Sequence, residues 1–329
     1  GSETCAAMLA REFAYKGYRS IIIGDCHKLE GNYEGVEYIN YTRWESFKES
    51  NYVDYFISSR CTFPLSHNIK NGKNYVWSHD IFIPEAMYRY PNQAEKVDKF
   101  ICLSPWHVDF FSDHHKVDKS KILIQENGLD LSRYADYDKI EKDPYRLFYS
   151  SSPDLGLLKL LHQFKVIKKE FPKASLHVYY GFQTWKAMIE ARKDPSELDH
   201  IKQLDEAMKQ NDVVYHDRVP QNVLAKEQMK CSLWIYPTWF TETNCITKSE
   251  AMIAGAIPIC TNLAALCEIP GNCGIKVQSP EECLEQTLRL LRNPDLQNSY
   301  REAGRNFVQE NCSWSKIADK WIKMFQEDK

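Results

Sequence analysis

The sequence has no surplus of positive charge. Its 42 Lys and Arg stand against 45 Asp and Glu, a formal net charge of −3 at pH 7. That balance argues against an electrostatically driven nucleic-acid binder, which carries a clear basic excess. The chain also lacks an apolar run long enough to span a membrane, and no signal-peptide pattern opens it. Peripheral contact with a membrane stays compatible with such a sequence. The 11 cysteines are scattered, among them Cys5, Cys26, Cys61, Cys102 and Cys231, and include no C-x-x-C pair. This speaks against a disulfide scaffold or a zinc site and for reduced thiols, hence a cytoplasmic protein. Internal repeats and low-complexity segments are missing too. What is present is a globular composition, 43% hydrophobic and 26% charged. At 329 residues the chain is too long for one ordinary core and comfortable for two domains.

Hydrophobic periodicity predicts strands alternating with helices. Ala6, Leu9, Ala10 and Phe13 recur at helical spacing over 3–16, and Gly17 stops that helix. Strands are expected at 18–25, 35–42, 53–60, 74–80, 98–104 and 121–130, with a helix over 105–115. Residues 136–145, "DYDKIEKDPY", read as the linker. Beyond it, strands are expected at 145–152, 174–181, 213–219, 232–238 and 256–261. Helices are expected over 156–171, over 183–210 with a break at Pro195, over 221–231, and in several pieces over 281–329. Ser313 or Ser315 caps the last helix, whose stripe is Ile317, Trp321 and Met324. The alternation implies an α/β class with doubly wound, mostly parallel sheets. The domains are expected at 1–140 and 141–312, with the helix at 313–329 packing back on the first. A doubly wound half normally opens with its central strand, whereas this chain opens on a loop and a helix. About ten upstream residues, or another segment, are expected to fill that slot.

The stretch "PTWFTETNCITKSEAMIAGAIPI", 237–259, carries Glu242 and Glu250 eight positions apart. A helix is expected from about Asn244, its N-cap, to Gly255. Glu250 then lies about six residues in, roughly 9 Å along the axis. A bare pair of glutamates reads as surface charge. The preceding strand, the cap, the closing glycine and the proline-bearing next strand reverse that reading. A helix start is a ready anion site, and a carboxylate accepts hydrogen bonds from neighbouring hydroxyls. A phosphate at the helix start with a diol on each side describes a nucleoside-diphosphate sugar.

This segment resembles the E-x7-E signature of retaining GT-B glycosyltransferases of family four. It resembles in particular a subgroup with "YPT-x-F-x-ET-x-C-I-T-x-x-EA". "GSETCAAMLAREFAYKGY", "VWSHD", "ICLSPWHVDFF", "ENGLD", "YSSSPDLGLLKLL", "VYYGFQTW" and "HDRVPQNVLAKEQMK" also resemble family segments, in the same order over nearly the whole chain. The resemblance implies two Rossmann-like domains facing a central cleft. It implies a UDP- or GDP-type sugar donor as co-substrate, a carbohydrate or glycoconjugate acceptor, retention of configuration, and no cofactor or metal. No D-x-D with apolar strand flanks occurs. It further implies that Glu242 meets hydroxyls of the donor sugar and Glu250 the ribose. Amides of Thr243, Asn244 and Cys245 would meet the sugar or phosphates, although the family usually has glycine at Cys245. His79 would lie beside the reacting sugar; the other reading is a bonded core histidine. Gly1 and Ser2 match a Gly-Gly-Ser loop that approaches the donor phosphates; the other reading is a cloning remnant. Leu155 stands where the subgroup carries a basic residue. Arg218, first, and Lys159, second, are candidates to supply that charge to the diphosphate, Arg218 reading otherwise as a surface arginine. Two further functions share the architecture, a non-catalytic nucleotide-sugar-binding or partner-binding domain and a nucleotide-sugar epimerase.

Overall fold

The computed structural model describes residues 1–26, 28–66, 70–82 and 94–328. The chain parts into two compact units, residues 1–128 with 312–329, and residues 129–311. Residues 129–140, expected to end the first domain, pack inside the second unit. Tyr134 is buried and donates to Gln228 Oε1 at 2.9 Å, and the Tyr137 ring lies under the Arg305 guanidinium at 3.2 Å.

In the first unit the opening helix α1 is Ser2–Tyr15, and Gly17 at φ +88 turns the chain away. The strands are β1 (Ser20–Gly24), β2 (Gly31–Tyr33), β3 (Val36–Asn40), β4 (Tyr52–Ser59), β5 (Lys70–Trp77), β6 (Lys99–Cys102) and β7 (Ile122–Ile124). Helices α2 (Trp44–Ser50) and α3 (Pro105–His115) lie among them. β4-β5-β6-β7 form a parallel sheet, with Val76, Phe100, Phe111 and Ile122 in its core. β1-β3-β2 form a separate sheet, in which β1 and β3 are parallel and β2 is antiparallel to β3. Among the described residues no strand bridges β1 and β4.

The second unit carries β8 (Asp143–Tyr149), β9 (Ser175–Val178), β10 (Val213–Tyr215), β11 (Cys231–Tyr236), β12 (Ile257–Thr261) and β13 (Ile275–Val277). Its helices are α4 (Leu157–Glu170), α5 (Phe182–Arg192), α6 (Pro195–Ala207), α7 (Gln221–Lys230), α8 (Ile246–Ile253), α9 (Glu282–Leu291) and α10 (Pro294–Asn311). All six strands run parallel in the order β10-β9-β8-β11-β12-β13. Every residue of β11 and β12 is buried, as expected of strands covered on both faces.

The last helix, α11 (Trp314–Glu327), returns to the first unit. Ser313 caps it by accepting from the Lys316 amide at 3.2 Å. The Phe325 ring stacks on Tyr55 at 4.1 Å, and Trp321 meets Trp77 edge-on at 5.2 Å. Gly128 makes room for this helix, since a Cβ there would lie 2.6 Å from the Trp314 ring.

Candidate functional site

The strand order of the second unit reverses between β8 and β11. The chain therefore leaves these two neighbours toward opposite faces, and a crevice opens beyond their carboxyl ends. Two loops line it, 150–156 after β8 and 237–245 after β11. They touch at Gly156, which holds φ +116, and a Cβ there would sit 2.6 Å from the Pro237 carbonyl oxygen. Only glycine tolerates both demands.

Glu242 lies in the second loop, partly exposed. Its Oε1 accepts from the Tyr236 hydroxyl at 2.7 Å, and its main-chain oxygen accepts from the Ala265 amide at 3.1 Å. Burial raises the carboxyl pKa above the ordinary glutamate value, against the opposing pull of the Tyr236 hydroxyl and the Lys248 charge. Thr243 and Asn244, both partly exposed, form the turn that follows. Asn244 is not the helix cap. Cys245 takes that place in a left-handed conformation, φ 52 and ψ 75, and its side chain is buried. The left-handed residue breaks the helical path, so α8 starts at Ile246.

Glu250 is consequently the fifth helical residue, about 6 Å along the axis rather than 9 Å. It too is partly exposed. Burial raises its pKa, and the Gln228 amide and the Arg133 guanidinium work the other way. Gln228 is itself buried and held by Tyr134. Arg133 is paired with Asp130 at 3.3 Å and bonded to Gln221. The site helix is thus flanked by two carboxylates, Glu242 ahead of its start and Glu250 on its second turn. Between them the amides of Ile246 and Thr247 have no acceptor inside the helix.

The far end of α8 is held by three cations. Lys142 Nζ donates to the carbonyls of Ala254 at 3.0 Å, Met229 at 2.7 Å and Cys231 at 2.7 Å. Arg301 donates to the Gly255 carbonyl at 3.0 Å, and Arg305 to that of Ile253. Positive charge at a helix C-terminus satisfies its free carbonyls and its dipole. Gly255, at φ +72, closes the helix as expected and packs on Tyr137.

The remaining candidates fall at several places. Lys159 on α4 is ion-paired with Glu281. Arg218 is exposed in the turn after β10, beside Gly181. Leu155 is partly exposed on the loop before α4. In the first unit Gly1 precedes α1 and Ser2 begins it, the Gly1 carbonyl accepting from the Cys5 amide at 3.1 Å. His79 follows β5, its ring 4.4 Å from that of Trp77. Burial pushes its imidazole down to about 3, helped by the Arg60 and His107 charges, so it is neutral at pH 7. Asp80 beside it pairs with Arg60 at 2.6 Å.

The sequence reading missed Lys248, Tyr236, Gln228 and Tyr134. Lys248, third in α8, is 9% exposed. Its place between two glutamates at a helical position that faces inward is the signal that could have found it. Among the described residues no group of three or more His, Cys, Asp or Glu is arranged to hold a metal ion, and no helix is long and apolar enough to cross a membrane.

No curated protein matches the sequence. Solved structures do match in shape. The glycosyltransferase from Rickettsia africae aligns at a TM-score of 0.76 and 15% identity, over 99% of this chain and 94% of that one. Sucrose-phosphate synthase from Thermosynechococcus elongatus aligns at 0.75 and 15%, over 99% and 93%. Anabaena HepE, solved with UDP and glucose, aligns at 0.71 and 12%, over 99% and 96%. At these identities the likeness establishes the fold, which is GT-B. Residues 135–307, more than half of the chain, match the family Glycosyl transferases group 1. The chain belongs to the glycosyl transferases group 1 family.

Proposed function

We propose that this protein moves a sugar from a nucleoside-diphosphate sugar to an acceptor hydroxyl with retention of configuration. The observation that carries this reading is the pair of partly open carboxylates on either side of the α8 start. Glu250 would accept from the ribose diol and Glu242 from hydroxyls of the donor sugar. The diphosphate would meet the helix start, where amides and dipole favour an anion. In the transfer the bond from the anomeric carbon to the phosphate oxygen breaks, and its electron pair stays on the diphosphate. The acceptor oxygen bonds the same face of that carbon, and its proton passes to the departing phosphate oxygen. The charge that develops there is the charge the helix start is placed to stabilise. Neutral His79 can accept a hydrogen bond from a sugar hydroxyl, and we assign it the acceptor side of the chemistry. The UDP and glucose held by Anabaena HepE support a UDP-type donor, with GDP-type donors as the second choice. Retention and metal independence follow from the E-x7-E resemblance.

The test is product analysis with a panel of UDP- and GDP-sugars, with and without chelator. A new glycoside whose anomeric signal matches the donor's configuration is expected. An isomerised donor would make the protein an epimerase instead, and binding without turnover would make it a binding domain.

A further inference from the structure

Lys248 is a largely covered lysine near the start of α8. It is 9% exposed, and among the described residues it closes neither an ion pair nor a side-chain hydrogen bond. Side chains on a helix lean toward its N-terminus. From the third position of α8 this long side chain therefore runs back over the first turn. Its charge is felt at Cys245, at Glu242 and at Cys260 on β12. Its stem is covered while the ammonium keeps contact with solvent, so an anion arriving from outside can meet it. Glu242 answers it only in part, because its Oε1 already accepts from Tyr236 and the two charges do not close an ion pair.

The other cations considered for this crevice are spent or lie elsewhere. Lys159 is taken by Glu281. Arg218 sits after β10, two strands away from β8 in the sheet. Leu155, on the loop after β8, brings no charge. An ammonium leaning over the amides of a helix start makes an anion site with two independent contributors. Glu250 lies farther along the helix than Lys248, and Glu242 lies ahead of its start. A ligand spanning both glutamates would therefore bring its sugar-side phosphate, not its ribose-side phosphate, to the lysine.

We propose that Lys248 binds the distal phosphate of the donor and supplies the positive charge that these loops otherwise lack. The proposal rests on the reading of this crevice as a nucleotide-sugar site. Calorimetric titration with nucleoside mono- and diphosphates tests it on the intact chain. The parent is expected to prefer the diphosphate. Lys248→Met should lower diphosphate affinity about 10- to 100-fold and leave monophosphate affinity unchanged. Lys248→Gln, run in parallel, should do the same, so that a packing defect in one variant does not decide the result. Adding Leu155→Arg to Lys248→Met should restore the preference. If the parent binds diphosphate and both Lys248 variants keep its full preference, the role of Lys248 is overturned while the donor-site reading stands. If the parent binds no nucleoside diphosphate, the donor-site reading itself falls.

Discussion

Replacing Glu250 by glutamine should make the empty protein more stable and its nucleotide binding weaker. The folded protein raises the pKa of this carboxyl by burying it. A raised folded pKa means that the folded state holds the proton more tightly than the unfolded state. The contribution to stability is then complete below the unfolded value, about 4.3, and is lost as pH rises through the folded one. At pH 7 the ionised group is a net cost. Glutamine keeps the shape and removes the charge, and relief of such a functional cost is commonly worth about 0.5–2 kcal/mol. For a domain of this size that is a rise in Tm of roughly 1–8 °C. Binding moves the other way. Two hydroxyl bonds to a carboxylate, replaced by two to a neutral amide, lose about 1–1.5 kcal/mol each, roughly 30- to 150-fold in affinity for a nucleoside diphosphate. Thermal unfolding between pH 4.5 and 8, with calorimetric titration, reads both effects. Groups common to both proteins, His79 and Lys142 among them, shift both curves alike, so the variant's advantage over the parent should widen as pH rises through that range. A variant that unfolds earlier than the parent at pH 7 and binds diphosphate as tightly would refute the reasoning.

Tyr236→Phe removes the donor to Glu242, so the Glu242 carboxyl should titrate still higher and the fold should lose about 1.5–3 kcal/mol at neutral pH; a two-dimensional NMR titration and a urea melt check both. Lys142 is pushed down to about 7 by burial and by Arg301 and Arg305. The unfolded lysine, near 10.4, binds the proton more readily, so this group makes stability rise from pH 7 upward. Lys142→Met should flatten that rise and cost about 1 kcal/mol for each of the three carbonyls it leaves without a donor, measured as Tm against pH. Gly156→Ala should cost about 1–3 kcal/mol in backbone strain, with more from the clash at Pro237. It should also weaken diphosphate binding, because the β8 and β11 loops can no longer touch; unchanged affinity would show that this contact does not shape the site.

Periodicity and punctuation made most of the fold legible in advance. The helix over 105–115 appears at those residues, Pro195 does divide α5 from α6, and Gly17 and Gly255 both sit in left-handed turns. The short elements escaped. β2 and β13 span three residues each, too few to show a period, and α2 hides in the polar run "WESFKES". The charged stretch 136–145 looked like a linker because its polar residues are plain and its contacts are not. Tyr137 under Arg305 and Lys142 on three carbonyls are long-range partnerships that no local pattern shows. The placement of Glu242 ahead of a helix start and of Glu250 within that helix was readable from the strand before them and the glycine after them. The left-handed Cys245 was not, since asparagine caps helices far more often than cysteine does. Lys248 was not either, because a lysine in a helix is normally solvated and its burial is decided by the strands beneath it.

The most direct measurement is the release of nucleoside diphosphate from a panel of UDP- and GDP-sugars, with a carbohydrate acceptor, by the parent and by Glu242→Ala and Glu250→Ala. The account predicts turnover with at least one donor in the parent. It predicts weakened binding of the free nucleotide in Glu250→Ala, and a defect confined to the sugar-bearing donor in Glu242→Ala. Variants that bind the nucleotide and turn over the donor as the parent does would contradict it.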